Sequence, residues 1–285
     1  MKAEARFAEL SDSFWSAARL ISQKFGYSEK GADRISSPNI AAVDEMFVAL
    51  SLKLGQEVST SFGIFRLPEL VAQYLDFRAE ILNNDVRNNL MRVDDAKRVF
   101  ETMRHKLNPR CPLPMNKQKG AKKAPAYFAG IINMLIEENL LGAACNYEPR
   151  ELSYFTDQGV PALTMSRRVD GAFPSAINPV AIWEVKEYYY TTTFGSRVAD
   201  GVYETMLDGF EINLLSRRMR IRRPKHYLMV DDYFTWWNCG KSYLCRIIDM
   251  LHMGLVDEVL FGRQVVKRLP QIVKGWIDHE GLSEQ

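Results

Sequence analysis

No stretch of this sequence approaches the ~20 consecutive apolar residues that a helix needs to cross a bilayer. Its opening, MKAEARFAELSDSF, lacks the apolar core of a secretory signal. The expectation is a cytoplasmic protein with no membrane partner. Cysteine is scarce: Cys111, Cys145, Cys239 and Cys245 stand apart without CxxC spacing, which suits reduced thiols rather than a disulfide framework. His226, Cys239, Cys245 and His252 match no common zinc-finger spacing. The chain also has no GxSxG elbow, no P-loop and no dinucleotide-binding glycine pattern, so none of those chemistries has a motif to stand on. It has no internal repeat and little excess charge of either sign. At a net +2, the placement of charge says more about partners than its sum.

What is present is an ordinary globular composition, 47% hydrophobic and 25% charged over 285 residues, enough for one large domain or two modest ones. The first ~110 residues read as helices. Phe7, Leu10, Phe14, Ala17 and Ile21 recur at helical spacing, as do Val43, Phe47, Leu50 and Leu54. A third helical region from Pro68 to Leu107 is expected to break near Asn83-Asn84 or Val93-Asp94. The segment NPRCPLPMNKQKGAKKAP, residues 108 to 125, is rich in proline and lysine and reads as a linker or exposed loop. The expected division is therefore a helical region over 1–115 and a second domain over 116–285.

Beyond that loop the pattern alternates. An amphipathic helix is expected from Tyr127 to Leu141, and two strands, VPALTMS and RRVDGAF, as a hairpin turning near Ser166-Arg167. A third strand follows from Ala181 to Tyr190, then a long helix from Ser196 to Met219 with Val198, Val202, Met206 and Phe210 on one face. Strand, helix, strand and helix complete the chain: His226 to Val230, Ser242 to Gly254, Asp257 to Gly262 and Gln264 to Trp276. The order of elements gives an α/β class with a mixed sheet and helices on its faces.

The third strand raises a problem. Val180, Ile182, Trp183 and Val185 mark it as buried, yet it also carries Glu184 and Lys186. Buried charge is costly unless it is paired or holds a metal. Side chains alternate along a strand, so Glu184 and Lys186 share one face, and Asp170 on the neighbouring segment can reach it. Two carboxylates held a few ångströms apart repel, and a hard divalent cation relieves them.

Asp170 followed by IWEVK, with Glu184 and Lys186 on an apolar strand and a helix directly after, resembles the PD-(D/E)xK nuclease superfamily, which includes many restriction endonucleases. The resemblance covers roughly residues 125 to 262; the family's proline ahead of the first acid is Val169 here. It implies a restriction-endonuclease-like core and a metal-dependent endonuclease hydrolysing DNA phosphodiester bonds, in restriction or phage defence. Asp170, Glu184 and Lys186 would be catalytic. Mg²⁺, or Mn²⁺ in its place, would be held by Asp170, Glu184 and the Val185 backbone carbonyl. Glu204 on the following helix and Glu137 on the first helix of the fold would be auxiliary acids. RNA is the alternative polymer, since the metal chemistry is common to both. A double-strand break needs two active sites and hence a homodimer or a larger defence complex. The rival reading is a non-catalytic nucleic-acid-binding or interaction module on the same fold.

Basic residues cluster in two places. SRRMRIRRPKH gathers Arg217, Arg218, Arg220, Arg222, Arg223 and Lys225, and the loop before the first helix of the second domain holds Lys117, Lys119, Lys122 and Lys123. Both, with Arg197 at a helix N-terminus, are expected phosphate contacts.

Overall fold

In the computed structural model, Ser11 caps α1 (Asp12–Phe25) by accepting the Phe14 N–H at 3.4 Å, and Gly26, at φ +91°, ends it. Asn39 likewise caps α2 (Ile40–Ala49), accepting the Ala42 N–H at 2.9 Å. The structure describes residues 1–285 apart from 9, 29–31, 117–123, 191–194, 219–221 and 281–285, and only the backbone of 216–218 and 279–280. The region expected to be wholly helical also contains a hairpin, β1 (Glu57–Thr60) paired antiparallel with β2 (Gly63–Arg66). Its alternating EVST and GIFR segments obey a period of two rather than 3.6. α3 (Leu67–Ile81) has Pro68 in its first turn, passes through a π turn over Leu82–Val86 and ends in the single-turn α4 (Arg87–Asn89). Of the two alternatives expected for a break, Asn83-Asn84 lies inside this π turn, through which the helix continues, and the chain leaves the helix just ahead of α5 (Val93–Leu107).

The chain forms two compact units, one of residues 2–88 with 236–254, the other of Met1, 89–235 and 255–285. The division expected between 115 and 116 thus falls between 88 and 89. The reason is that α5 packs on α6 (Tyr127–Asn139), where Gly130 lets the Phe100 ring approach so closely that a Cβ would sit 2.5 Å from it. In the first unit, Phe7, Phe14, Trp15, Ile21, Val43, Phe47, Leu70 and Tyr74 make the core. α8 (Lys241–His252) belongs to this unit although it lies far along the chain. Its buried Asp249 accepts from Arg78 Nη1 at 2.8 Å and from Tyr74 Oη at 2.6 Å, and Arg78 Nη2 reaches Ser22 Oγ at 3.0 Å.

The second unit is a mixed α/β domain. β3 (Tyr154–Asp157) and β4 (Val160–Thr164) form a separate hairpin, and β5 (Gly171–Phe173), β6 (Ala181–Glu187), β7 (Lys225–Asp231) and β8 (Glu258–Phe261) form a four-stranded sheet in that order. The hairpin expected to turn at Ser166-Arg167 therefore turns at Gln158-Gly159 instead, both at positive φ as a two-residue primed turn requires. β5 runs antiparallel to β6, whereas β6, β7 and β8 are parallel. α7 (Ser196–Arg218) provides the crossover between β6 and β7.

Alternation along β6 divides the core. Ala181 and Trp183 pack with α6 and α9 (Gln264–Glu280) on one face, where the Trp183 and Trp276 rings stack at 5.3 Å. Ile182 packs with Ile212 and Leu215 of α7 on the other. Gly171, opposite Trp183, has no room for a Cβ because the indole lies 2.1 Å from where it would be.

Candidate active site

The two-residue period that puts Ile182 under α7 puts Glu184 and Lys186 there too, and both are buried, with 0% and 7% of their surface exposed. Lys186 Nζ donates to Glu184 Oε2 at 2.6 Å. Asp170 lies immediately before β5, not on a strand, which corrects the expected placement. From there it reaches both neighbours. Its N–H donates to Glu184 Oε1 at 3.2 Å, its Oδ2 accepts the Val185 N–H at 2.8 Å, and Lys186 Nζ stands 3.9 Å away. A residue's N–H and C=O leave an extended strand on the same edge, so the Val185 carbonyl faces the edge that Asp170 caps.

Two residues that sequence reasoning did not single out complete the cluster. Arg167 forks onto Glu184, at 2.9 and 3.2 Å, and also meets Asp208 at 2.7 Å and Glu204 at 3.4 Å. Asp208 is fully buried, and its Oδ1 has no hydrogen-bond partner. The loop carrying Arg167 is tied to α7 because the Ser166 N–H and Oγ both donate to Glu211. Asp208 follows Glu204 by one helical turn, a spacing that could have drawn attention to it; nothing local marks Arg167. Four carboxylates, those of Asp170, Glu184, Glu204 and Asp208, thus face two cations, Lys186 and Arg167.

These contacts set the protonation states. Burial opposes the charge on Glu184, but Lys186 and Arg167 outweigh it and hold the carboxyl below its ordinary value. Burial likewise opposes the Lys186 charge, and Glu184 and Asp170 outweigh it, so the ammonium is held above its ordinary value. Desolvation, then the Glu184 charge, pushes the Asp170 carboxyl up to about 6, although 44% of that side chain remains open to solvent. The same two causes push Asp208 up to about 7.

A cavity of about 610 Å³ opens beside Asp170 and Val185 on the α6 face of β6, lined also by Glu187, Tyr188, Tyr190 and Arg197. Among the described residues no three His, Cys, Asp or Glu converge as a metal cluster.

The other expected site residues are distributed as follows. Glu204 joins the cluster, 3.7 Å from Lys186 Nζ. Glu137 does not: it accepts the Arg110 N–H at 2.9 Å near the C-terminal end of α6, whereas it is Glu187 that meets the opposite end of that helix, at the Phe128 and Ala129 N–H groups. Arg197 is exposed at the start of α7. Arg222 is exposed, and Arg223 pairs with Asp257, which also holds Lys225 at 2.9 Å. Arg217 and Arg218 end α7, with only their backbone described. Arg220, Lys117, Lys119, Lys122 and Lys123 lie outside the described residues.

Residues 91–276, more than half of the chain, match the family described as domain of unknown function DUF7687, and residues 1–85 match domain of unknown function DUF7690. No curated protein and no solved structure matches the chain.

Proposed function

The chain belongs to the DUF7687 family, and we propose that its mixed sheet is a restriction-endonuclease-like core carrying a metal-dependent nuclease that hydrolyses DNA phosphodiester bonds. The convergence of Asp170, Glu184, Lys186 and the Val185 backbone at one point of the β6 edge carries this reading. The residues present suit Mg²⁺: the donors are hard oxygens, and this ion is commonly held through one or two carboxylates with several waters retained. Asp170, Glu184 and the Val185 carbonyl would hold it, and the surplus of two carboxylates over cations leaves room for its charge. When bound, the ion lowers the pKa of a coordinated water and offsets charge on the phosphodiester.

The chain's own groups do the rest. Lys186, held protonated, cannot act as a base and stabilises negative charge developing on the phosphate. Asp170, beside Lys186, would orient the attacking water, whose proton passes to bulk water as the new O–P bond forms, while the leaving oxygen departs and takes a proton from water. Arg167 holds the Glu184 carboxylate in place and, with Glu204, frames the polar side of the site. A restriction or phage-defence role follows from the resemblance to the PD-(D/E)xK nucleases.

A second reading, a non-catalytic nucleic-acid-binding or interaction module, is favoured by one observation: Glu184 is already engaged by Lys186, Arg167 and the Asp170 N–H. Cleavage of plasmid, phage DNA and RNA with Mg²⁺ or Mn²⁺ separates the two, comparing wild type with Lys186→Ala and Asp170→Ala. Metal-dependent cutting lost in both variants, with folding kept, is the expected result. A wild type that neither cuts any of these polymers nor binds either cation by calorimetry would establish the second reading.

A further inference from the structure

The cavity beside Asp170 and Val185 has walls whose chemistry the proposed cleavage does not use. The period of β6 sets its floor: Trp183, Val185 and Glu187 alternate with the charged pair, so they face α6 rather than α7. Tyr147, Tyr188 and Tyr190 add three phenol rings around it. Two acceptors in these walls are unclaimed. Asn133, only 6% exposed, lines the cavity; its Nδ2 donates to the Pro112 carbonyl at 2.8 Å, and no described residue donates to its Oδ1. Glu187 meets α6 one turn earlier, taking the Phe128 and Ala129 N–H groups on Oε2, and no described residue donates to its Oε1. Acceptors held in so little solvent call for an N–H from whatever fills the space beside them.

Rings that stack and acceptors that await N–H groups together fit a nucleobase carrying an amino group. Asp170 and the exposed Arg197 line the same cavity, so a base here lies next to the phosphate that the Asp170 cluster would hold. No described carboxylate pairs with Arg197, which leaves its guanidinium for a neighbouring phosphate. The volume, about 610 Å³, falls within the ~300–1,000 Å³ of small-ligand sites. A duplex, whose bases are paired and stacked, cannot present one to such a cavity without turning it out. We propose that this cavity is a base-binding site taking one unpaired, amino-bearing nucleobase, which makes single-stranded DNA the substrate. The base site stands on the cavity itself; the adjoining phosphate and the status of the strand as substrate rest on the nuclease reading.

Fluorescence anisotropy on the full chain at pH 8, without divalent metal, separates base from phosphate. The probes are short end-labelled strands of equal length: oligo-dC, oligo-dT, an abasic strand, and a mixed-sequence strand alone or annealed to its complement. Oligo-dC is expected to bind about tenfold more tightly than the abasic strand, the order of one stacked base. It should bind about fivefold more tightly than oligo-dT, whose O4 is an acceptor where cytosine has an amino group. The mixed strand should bind more tightly alone than annealed. Tyr190→Ala, at an exposed ring, should cost about tenfold on oligo-dC and nothing on the abasic strand, and Asn133→Leu should remove the preference for oligo-dC over oligo-dT. An abasic strand bound as tightly as oligo-dC, a duplex bound as tightly as its single strand, or a Tyr190→Ala variant that leaves these ratios unchanged would overturn the site. With Mg²⁺ added, base-dependent binding without cutting would remove the nuclease reading and leave the base site standing. Cutting of duplex DNA by a chain indifferent to the bases would do the reverse.

Discussion

Replacing Arg167 by alanine is the sharpest probe of how the charge cluster is held together. Two fully buried carboxylates, Glu184 and Asp208, share this guanidinium, and Asp208 has no partner at its other oxygen. Glu184 keeps Lys186 when Arg167 is lost, but Asp208 loses the cation it pairs with and can stay buried only by holding its proton. Removing one partner from a buried pair costs ~3–5 kcal/mol. Arg167 retains about a fifth of its own exposure, so solvent already screens part of the interaction and the lower end, about 3 kcal/mol, applies. For a unit of this size that corresponds to a fall in Tm of roughly 6–12 °C. The penalty must also depend on pH. The Asp208 carboxyl is raised to about 7 in the folded chain, above its unfolded value, so its contribution to stability is present below the ordinary carboxylate range and lost as pH rises through about 7. Without Arg167 it rises further and the buried acid keeps its proton, so the cost of Arg167→Ala grows between pH 5 and pH 8 by about 1.4 kcal/mol at most, the worth of the one pH unit above 7. The lost contact to Glu184 costs at both pH values, and Asp208→Asn in the same chain removes the pH-dependent part. Thermal unfolding followed by circular dichroism at both pH values measures each arm. A variant melting within about 2 °C of wild type at pH 8, or one hurt more at pH 5, would refute this account of the cluster.

Three further outcomes are expected. A Cβ at Gly201 would press on Lys186 Cδ at 3.2 Å and on Tyr188 Oη at 3.0 Å. Gly201→Ala should thus shift Lys186 by a few tenths of an ångström and, if the proposed DNA cleavage is assayed, lower its kcat about threefold to tenfold while leaving the melting temperature nearly unchanged; full activity would mean that the Lys186 position is not critical. Desolvation raises the Glu187 carboxyl to about 7 against the two α6 N–H groups it accepts, so the stability it contributes below its ordinary value is lost as pH climbs through 7. Urea unfolding at pH 5 and pH 8 should show a smaller loss for Glu187→Gln than for wild type, and equal losses would contradict the assignment. Burial pushes the thiols of Cys111 and Cys145 up to about 12 and that of Cys245 to about 11, while Cys239 is exposed. A thiol reagent at pH 8 should therefore label Cys239 first, and fast modification of a second cysteine in the folded chain would contradict the packing.

The parts of this molecule that were legible in the sequence are those governed by near neighbours. The amphipathic pattern located α6, α7, α8 and α9, and IWEVK located β6 together with the face its charges share. Glu204 was legible because it lies on the helix that follows the lysine. What stayed hidden depends on partners far along the chain. The Arg78–Asp249 pair joins residues 171 positions apart, so the allegiance of α8 to the N-terminal unit has no local signature. Phe100 seated on Gly130 moved the division from 115/116 to 88/89 for the same reason. The β3–β4 hairpin turns on Gln158-Gly159, but its first strand is only the four residues Tyr154–Asp157, too short for a period of two to stand out, while Arg167, where a turn was expected, is committed to the acids of α7 and β6.

The late position of α8 has a consequence for synthesis. At roughly 5–20 residues per second, the ribosome adds Asp249 some 10–30 s after Arg78. For that interval the nascent N-terminal segment carries a guanidinium and the Tyr74 hydroxyl that the finished fold buries on Asp249, together with an apolar surface still missing α8. Residues 2–88 are thus made well before the helix they pack against and are late to reach their native environment. A fragment ending at residue 88 would remain at that stage indefinitely, as a client for chaperones rather than a folded unit.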